Sequence, residues 1–320
     1  MLSGDHIMND YIIGIPQALS YHYYRGLWPT YFENLGYHVV TSGRTDRNKL
    51  DAGIKMTPSE ACLPLKCYLG HVLSLVGRAD YIFIPRLVCL KTHPGIRLGC
   101  PKLIGLPDMV KALVPEAKIL ALNIDLREED EETSYVKLGQ EMGKSEHAAQ
   151  HAFRSALADF AKRKKNTPTE MRPKDNRNAK FKIGLLGHAY LINDDYLNLD
   201  LKKKIHDSGA HTINCHDLRE EVIKTARENI NPLSWYFEEH IISAAHVFHN
   251  AEGISGIIYL LSFGCGAGSI THEVIDYEVR RENTIPFLKI VLDEHTGETG
   301  LMTRIESFLD MIKLKEEQTP

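Results

Sequence analysis

Long hydrophobic runs, abundant cysteine and an excess of positive charge are all missing from this chain of 320 residues. The longest apolar run, residues 254–261, is interrupted by glycine and falls well short of the roughly 18 residues that a membrane helix needs. A net charge of −4 gives no general attraction for nucleic acid. The first ten residues lack a basic region followed by an apolar stretch, so we expect no signal peptide, no membrane association and a cytoplasmic protein.

The six cysteines are too few for a disulfide-stabilised scaffold, and none has the CxxC spacing of a zinc site. In a reducing compartment each thiol is a buried small hydrophobe, a metal or cluster ligand, or a nucleophile. Apolar residues make up 43% of the chain, which is ordinary for a globular protein with a sizeable core.

A strand, a helix, a glycine and a second strand open each half of the chain. In the first half these are strand 11–15, helix 19–35 with a kink or break at Pro29, Gly36 and strand 37–40. In the second half they are strand 181–186, helix 201–205, Gly209 and strand 211–214. The repeat favours an internal duplication, although any two βαβ units share this pattern.

Apolar runs and helical segments continue to alternate along both halves. The runs expected to form buried strands are residues 81–84, 119–122, 254–261 and 287–292, and the helices are residues 106–113, 271–281 and 301–313. A long polar helix is predicted over residues 134–165. This order predicts an α/β protein with two Rossmann-like, doubly wound domains and a cleft between them. The predicted boundaries are residues 1–165 for the N-terminal domain, 166–180 for a linker and 181–320 for the C-terminal domain.

One cysteine, Cys265, lies in a glycine-rich loop between a predicted strand and a predicted helix. Gly264, Gly266 and Gly268 allow a close backbone approach, and the amides of the following helix favour an anion. A phosphate or an anionic iron–sulfur cluster held by Cys265 would suit this loop, and a tight turn with a buried thiol is the structural alternative. The loop lacks the Lys-Ser/Thr of a P-loop and the full G-x-G-x-x-G pattern.

Two further cysteines also lie close to predicted helix starts. Cys62 precedes a helix that begins at Pro64, unless a capping box from Thr57 starts the helix earlier. The helix end and Lys66 both favour a thiolate at this position. Cys100 precedes a proline that stiffens its loop, which suits a cluster ligand. We expect structural roles for the remaining cysteines, Cys67, Cys89 and Cys215. Of these three, Cys67 is the candidate for an additional ligand.

Several motifs together resemble one known family. They are Ile13-Gly-Ile-Pro16, Glu60-Ala-Cys-Leu-Pro-Leu-Lys66 with Gly70-His71, Tyr81-Ile-Phe-Ile-Pro-Arg86, Cys100-Pro-Lys102 with Gly105-Leu-Pro-Asp108, Gly187-His188, Ser234-Trp-Tyr236, Phe263-Gly-Cys-Gly266 and Asp293-Glu-His-Thr-Gly297. Over nearly its whole length the chain resembles the uncharacterised family associated with the activase of 2-hydroxyacyl-CoA dehydratases, which is related to the dehydratase subunits. Ala189 replaces an expected proline. Cys67 and Cys89 replace expected non-cysteine residues, which leaves a fourth thiolate or a different cluster open.

The resemblance implies a [4Fe–4S] cluster between two domains, held by Cys62, Cys100 and Cys265, with the fourth iron open. It also implies an ATP-dependent activase that supplies low-potential electrons. In the related dehydratases, one electron converts an acyl-CoA thioester into a ketyl radical that expels the hydroxyl group. The residues expected to surround and stabilise such an anionic cofactor are Gly264, Gly266, Lys66 and Lys102.

Three side chains are candidates for proton transfer, each with a structural role as the alternative: Glu60, His188 and Glu298. His246 and His249 have a spacing that suits a metal, but without a further ligand we expect them to be structural. The sequence thus predicts an iron–sulfur redox protein, resembling an acyl-CoA dehydratase or reductase component and working as a homo- or hetero-oligomer on an acyl-CoA or another small molecule. The alternatives are a non-catalytic electron carrier or cluster scaffold, and a nucleotide-binding protein without a cluster.

Overall fold

The chain divides into two compact units, and the second unit includes a short segment from the first half of the chain. The computed structural model describes residues 11–166, 181–231, 233–282 and 285–317. Within these ranges the first unit contains residues 11–59 and 65–166, and the second contains the rest. Glu60–Pro64, here called the exchange segment, therefore belongs to the second unit although it comes from the first half of the chain. The predicted linker lies outside the described residues from position 167 onwards.

The first unit alternates strands with helices. Its strands are β1 (Ile12–Ile15), β2 (His38–Thr41), β3 (Tyr81–Lys91), β4 (Arg97–Leu98) and β5 (Ile119–Asp125). Its helices are α1 (Leu27–Asn34), α2 (Arg47–Met56), α3 (Leu63–Leu73, which starts in the exchange segment), α4 (Pro101–Ile104), α5 (Leu106–Leu113), α6 (Glu131–Glu141) and α7 (Glu146–Asn166). This alternation provides the long crossovers that parallel strands require.

The second unit is built in the same way. Its strands are β6 (Phe181–Gly187), β7 (Ala210–Asn214), β8 (Gly256–Ser262) and β9 (Phe287–Leu292). Its helices are α8 (Ala189–Ile192), α9 (Leu201–Asp207), α10 (Glu220–Arg227), α11 (Tyr236–Asn250), α12 (Gly266–Glu282) and α13 (Glu298–Glu317). All seven residues of β8 are buried, as predicted for a central strand of a parallel sheet.

Both sheets share one strand order. In the first, β1 pairs in parallel with β2 and β3, and β3 pairs in parallel with β5, while the short β4 is antiparallel to β3. In the second, the parallel order is β7-β6-β8-β9. When only the parallel strands are counted, the order second-first-third-fourth is common to both sheets and is typical of doubly wound sheets. The predicted α/β fold is therefore confirmed, and the shared order supports the duplication.

Two helix predictions need correction. The segment 19–35 consists of a 3-10 turn, Leu19–His22, and of α1, and the break comes at Gly26 rather than at Pro29. Pro29 is accommodated in the first turn of α1, where its missing N–H costs no helical hydrogen bond. The single helix predicted over 134–165 is wrong. The chain turns between α6 and α7, where Gly143 has a φ of +82°.

The aromatic face of α1 explains how the first unit is packed. Nε1 of Trp28 donates a hydrogen bond to the hydroxyl of Tyr135 over 2.9 Å, and the Tyr31 hydroxyl donates to the Tyr135 carbonyl over 2.6 Å. The ring of Phe32 meets that of Phe83 edge to face, with their centroids 5.0 Å apart. This buried cluster fixes α1 and α6 to the sheet. Among the described helices, none is long and apolar enough to cross a membrane.

Candidate functional site at the carboxyl edge of the second sheet

Two candidate site residues of the second unit follow two neighbouring strands. His188 comes directly after β6, and Cys265 comes shortly after β8. These strands pair in parallel, with Gly187 opposite Leu260, so both residues emerge at the same edge of the sheet. The chain continues from β6 to β7 on one side of this pair and from β8 to β9 on the other side. Doubly wound sheets bind their ligands at the point where the strand order reverses in this way.

Cys265 lies at the start of α12 and is half-buried. Its Sγ accepts the backbone N–H of Gly268 at 3.4 Å, and its carbonyl accepts the N–H of Ser269 at 3.0 Å. The sulfur thus caps the first turn of the helix. The Tyr259 hydroxyl donates to the Gly268 carbonyl over 2.9 Å and fixes this first turn to β8.

His188 is buried next to a buried acid. Its Nε2 lies 3.1 Å from Oε1 of Glu238 on α11. Burial by itself disfavours the charged ring. The neighbouring Glu238 carboxylate and the Cys265 side chain outweigh that effect and raise the pKa of His188 to about 10. The Tyr190 ring stacks on the imidazole, with centroids 4.7 Å apart.

The exchange segment brings a second predicted ligand to this edge. Gly264 has a φ of +75°, and a Cβ built on it would lie 3.3 Å from Cα of Cys62 and 3.2 Å from the Glu60 carbonyl oxygen. The backbone of the exchange segment therefore packs directly on the loop that carries Cys265. Cys62 immediately precedes α3, as predicted, and the alternative capping box is wrong because Thr57 ends α2 instead.

The glycines of the Cys265 loop differ in what they face. The close approach predicted for Gly264 is confirmed, and the neighbour is the backbone of the exchange segment. A Cβ on Gly268 would lie 3.1 Å from Sγ of Cys265, so this glycine too faces protein atoms. Gly266 has no described atom within 4 Å of such a Cβ and faces open space.

Cys100 belongs to the first unit. It caps α4, with Pro101 in the first helical position, and it is half-buried. Across the described residues, no group of three or more His, Cys, Asp or Glu side chains is arranged to hold a metal ion. The joint ligation by Cys62, Cys100 and Cys265 therefore stays a prediction.

The predicted basic residues lie in different surroundings. Lys66 is buried in α3, and its Nζ donates to the Ser59 carbonyl over 3.0 Å. Lys102 is exposed on α4, two residues after Cys100. Both are close in sequence to a predicted ligand, and their role towards a cofactor stays a prediction.

The two acidic candidates are on the surface. Glu60 is exposed in a turn at the start of the exchange segment. Glu298 begins α13, has a 69% exposed side chain and pairs with Nζ of Lys204 at 2.8 Å. The hydrogen bond from Lys204 lowers the pKa of Glu298 and favours the ionised carboxylate. Ionised, Glu298 is suited to accept a proton rather than to donate one.

Glu238 is the site residue that sequence reasoning missed. It lies on α11 and is only 2% exposed, and its neighbour Glu239 is equally buried, with Oε2 3.6 Å from Nε of Arg227. Buried carboxylates are rare unless they are paired. The available signal was two adjacent acids within the apolar run of α11.

The remaining cysteine and histidine candidates have local partners. Cys67, Cys89 and Cys215 are fully buried, and burial raises the pKa of the Cys215 thiol. His240 bonds through Nε2 to the Cys215 carbonyl at 3.1 Å and stacks on His216. A groove of about 480 Å³ between α10 and α11 includes His246 in its lining but none of the residues around Cys265.

Comparison with known proteins agrees with the predicted resemblance. The model of a family described as CoA enzyme activase uncharacterised domain (DUF2229) matches residues 12–218. The match includes Cys62, Cys100 and His188, whereas Glu238 and Cys265 lie beyond it. A search of curated proteins finds no match. Since the match covers well over half of the chain, this protein belongs to the CoA enzyme activase uncharacterised domain family.

Proposed function

We propose that this protein is an iron–sulfur redox component of the CoA-enzyme activase and dehydratase system. In this proposal Cys62, Cys100 and Cys265 hold a [4Fe–4S] cluster, and an ATP-dependent activase supplies low-potential electrons to it. The observation that carries the proposal is the packing of the Cys62 backbone on Gly264, beside Cys265, because it brings together two predicted ligands that are far apart in the chain.

The donor chemistry supports the proposal. Thiolates are the usual protein ligands of iron–sulfur clusters. Cys62 and Cys265 each stand at the amino end of a helix, α3 and α12, where the free N–H groups favour an anionic group. Two of the three glycines in the Cys265 loop face protein atoms, so the loop offers little support for the alternative of a nucleotide-binding protein.

A cluster with three protein ligands would supply one-electron chemistry and an open iron that accepts a substrate oxygen. The residues of this chain would hold and surround it. Lys66 and Lys102 add positive charge near Cys62 and Cys100 in sequence. His188 is the buried candidate for a proton relay, with Glu238 holding its ring. Glu60 and Glu298, both exposed, are candidates for proton exchange with solvent.

Anaerobic purification with iron and sulfide quantitation tests this proposal. About four irons per chain and absorbance near roughly 400 nm are expected, and Cys62→Ser, Cys100→Ser and Cys265→Ser should each lose both signals. Cys215→Ser is the control, because Cys215 is buried in the same unit and its thiol donates to the Gly187 carbonyl, as a serine hydroxyl can. A colourless, iron-free wild-type protein after anaerobic reconstitution would exclude the cluster.

A second measurement separates a catalytic component from an electron carrier. The loaded protein is mixed with the activase, ATP and a 2-hydroxyacyl-CoA under nitrogen. Dehydrated product that depends on all three additions indicates catalysis. Reduction of the cluster without any product indicates an electron carrier or cluster scaffold. Failure of the activase to reduce the cluster would contradict the proposed partner.

A further inference from the structure

Arg86 lies in the middle of β3 and connects this strand to three neighbouring elements of the first unit. Its Nε donates a hydrogen bond to Oδ1 of Asn123 on β5 over 3.0 Å. Its Nη1 donates to the carbonyl oxygen of Ile104, the last residue of α4, and to Oδ2 of Asp108 on α5, each over 2.8 Å. One guanidinium therefore joins β3 to β5, α4 and α5.

The element that depends most on this contact is α4, because it is a single turn, Pro101–Ile104. One turn fixes several backbone angles in return for few hydrogen bonds, so a turn of this length is unstable by itself. The carbonyl of Cys100 accepts the N–H groups of Leu103 and Ile104. The carbonyl groups at the end of a helix need partners from outside the helix, and Arg86 provides one for Ile104.

A second attachment to β3 lies immediately before this turn. The N–H of Gly99 donates to the carbonyl oxygen of Val88 over 2.9 Å. A Cβ built on Gly99 would lie 2.1 Å from the carbonyl oxygen of Leu87, so the two backbones touch and leave no room for a side chain. The chain on both sides of Cys100 is therefore attached to one stretch of β3, residues 86–88.

The two attachments determine the position of a thiol that reaches the surface. The other cysteines of the first unit, Cys67 and Cys89, are fully buried, whereas Cys100 is half-buried. A side chain on a short surface turn keeps a fixed position only if its neighbours hold the turn in place. The hydrogen bonds of Arg86 do so for the turn that begins at Cys100.

This contact requires a guanidinium rather than any other cation. Arginine presents its N–H groups in a rigid planar fork, so that one side chain reaches several acceptors at fixed angles. The Arg86 side chain is 26% exposed, whereas Asp108 is 70% exposed, so the ion pair between them contributes little. The bonds to Asn123 and to the Ile104 carbonyl are therefore the ones that hold α4.

We propose that Arg86 is a positioning residue for Cys100: it fixes the end of α4 and thereby holds the thiol at the start of this turn in one place. For a bound cluster this inference rests on the proposed function. There a fixed Cys100 would keep its place among the three ligands, since groups that orient a metal ligand strengthen metal binding.

The first test compares the wild type with Arg86→Lys as metal-free full-length proteins. Lysine keeps the positive charge but lacks the fork, so a change at Cys100 does not arise from a lost charge. We expect the amide hydrogens of residues 103–105 to exchange about tenfold faster, because the turn opens more often. Iodoacetamide should label Cys100 faster as well. In this reaction the sulfur forms a bond to the CH₂ carbon, iodide leaves, and the thiol proton goes to the solvent.

Arg154→Lys is the matched control. Arg154 also lies in the first unit, and its Nε donates to both carboxylate oxygens of Glu132 over 3.1 Å, so this variant removes a similar fork elsewhere. Labelling of Cys265, in the second unit, is the internal reference. If Arg86→Lys does not fold, Asn123→Ala removes one acceptor and leaves the guanidinium, and a smaller acceleration of Cys100 labelling is expected.

A merely structural role of Arg86 predicts a different pattern. Weakening of the sheet as a whole would accelerate amide exchange along β3 and β5 as much as in residues 103–105, and that result overturns the inference. Unchanged labelling of Cys100 in the folded variant overturns it as well.

The second test follows the loss of iron from the anaerobically loaded protein after a chelator is added, by absorbance near roughly 400 nm. Arg86→Lys should lose iron about tenfold faster than the wild type, and Arg154→Lys should lose it at the wild-type rate. Equal rates in Arg86→Lys and the wild type overturn the inference for the cluster. If the wild type binds no iron, the proposed function fails, and amide exchange and labelling still decide whether Arg86 positions Cys100.

Discussion

At the scale of single residues, His71 shows how burial determines charge. It lies on α3 in the first unit and is completely buried. Nδ1 is 2.7 Å from the Ser42 hydroxyl, and Nε2 is 2.9 Å from the Thr45 hydroxyl. Burial, reinforced by the positive charges of Lys49 and His22, lowers the pKa of His71 to about 3, so the ring is neutral in the folded protein.

We predict that this neutral histidine makes folding sensitive to acid. Below the unfolded pKa of about 6.5 the unfolded chain binds a proton that the folded chain refuses until about pH 3, so stability falls over that window by at most about 1.4 kcal/mol per pH unit. His71→Gln, which keeps polar partners for Ser42 and Thr45 but does not titrate, should lose less stability between about pH 7 and pH 4. Urea unfolding at several pH values measures the difference. Equal pH dependence in the two proteins would contradict the prediction.

His188 responds to burial in the opposite direction because it has a charged partner. Both histidines are removed from water, but Glu238 lies beside His188, whereas His71 has hydroxyl groups as its hydrogen-bonding partners. The His188 ring is therefore charged and the His71 ring is neutral. Local sequence patterns do not predict this distinction, since both residues follow a glycine in the motifs Gly70-His71 and Gly187-His188.

At the scale of elements, the loop between β8 and α12 depends on Gly264. Any other residue at this position would have to adopt a φ of +75°, and its Cβ would press on the backbone of the exchange segment. We predict that Gly264→Ala lowers the free energy of unfolding by about 1–3 kcal/mol and reduces iron binding in the reconstituted protein. Urea unfolding and iron analysis provide the two measurements.

The control for this substitution is two residues away. A Cβ on Gly266 meets no described atom within 4 Å, and this glycine is the first residue of α12. Gly266→Ala should therefore change the stability of the metal-free protein by less than about 1 kcal/mol. If both variants behave alike, the packing of the exchange segment on Gly264 is not important for stability.

Elements formed by local sequence signals could be predicted, and those shaped by distant contacts could not. The apolar run of β8, the strand β9 and the helix α5 follow directly from their patterns. The turn between α6 and α7 was missed because two glycines interrupt this polar stretch, and the sequence does not distinguish Gly139, which lies inside α6, from Gly143, which forms the turn. Glu238 was missed for another reason: it lies on α11, whereas its partner His188 follows β6, and no local pattern predicts that pairing.

At the scale of the whole molecule, the proposed cluster would draw ligands from both units, with Cys62 and Cys265 in one and Cys100 in the other. A cofactor that binds only the folded form stabilises every part that contributes a ligand. We predict that the metal-free protein unfolds in two thermal transitions, and that the loaded protein unfolds in one transition at a higher temperature. Differential scanning calorimetry under nitrogen makes this measurement.

Cys100→Ser is the control for coupling between the units. It removes the ligand contributed by the first unit and leaves the two in the second unit intact. After the same reconstitution procedure, this variant should keep two transitions. Two unshifted transitions in the iron-loaded wild type would show that the metal does not join the units.

The exchange segment also limits how this protein can be divided. A fragment that starts after residue 166 carries Cys265 but lacks the five residues, Glu60–Pro64, that cover Gly264. Such a fragment would expose the loop before α12 to water and would lose Cys62 altogether. The second unit produced by itself would therefore lack part of its own packing surface, because that part comes from the N-terminal half of the chain.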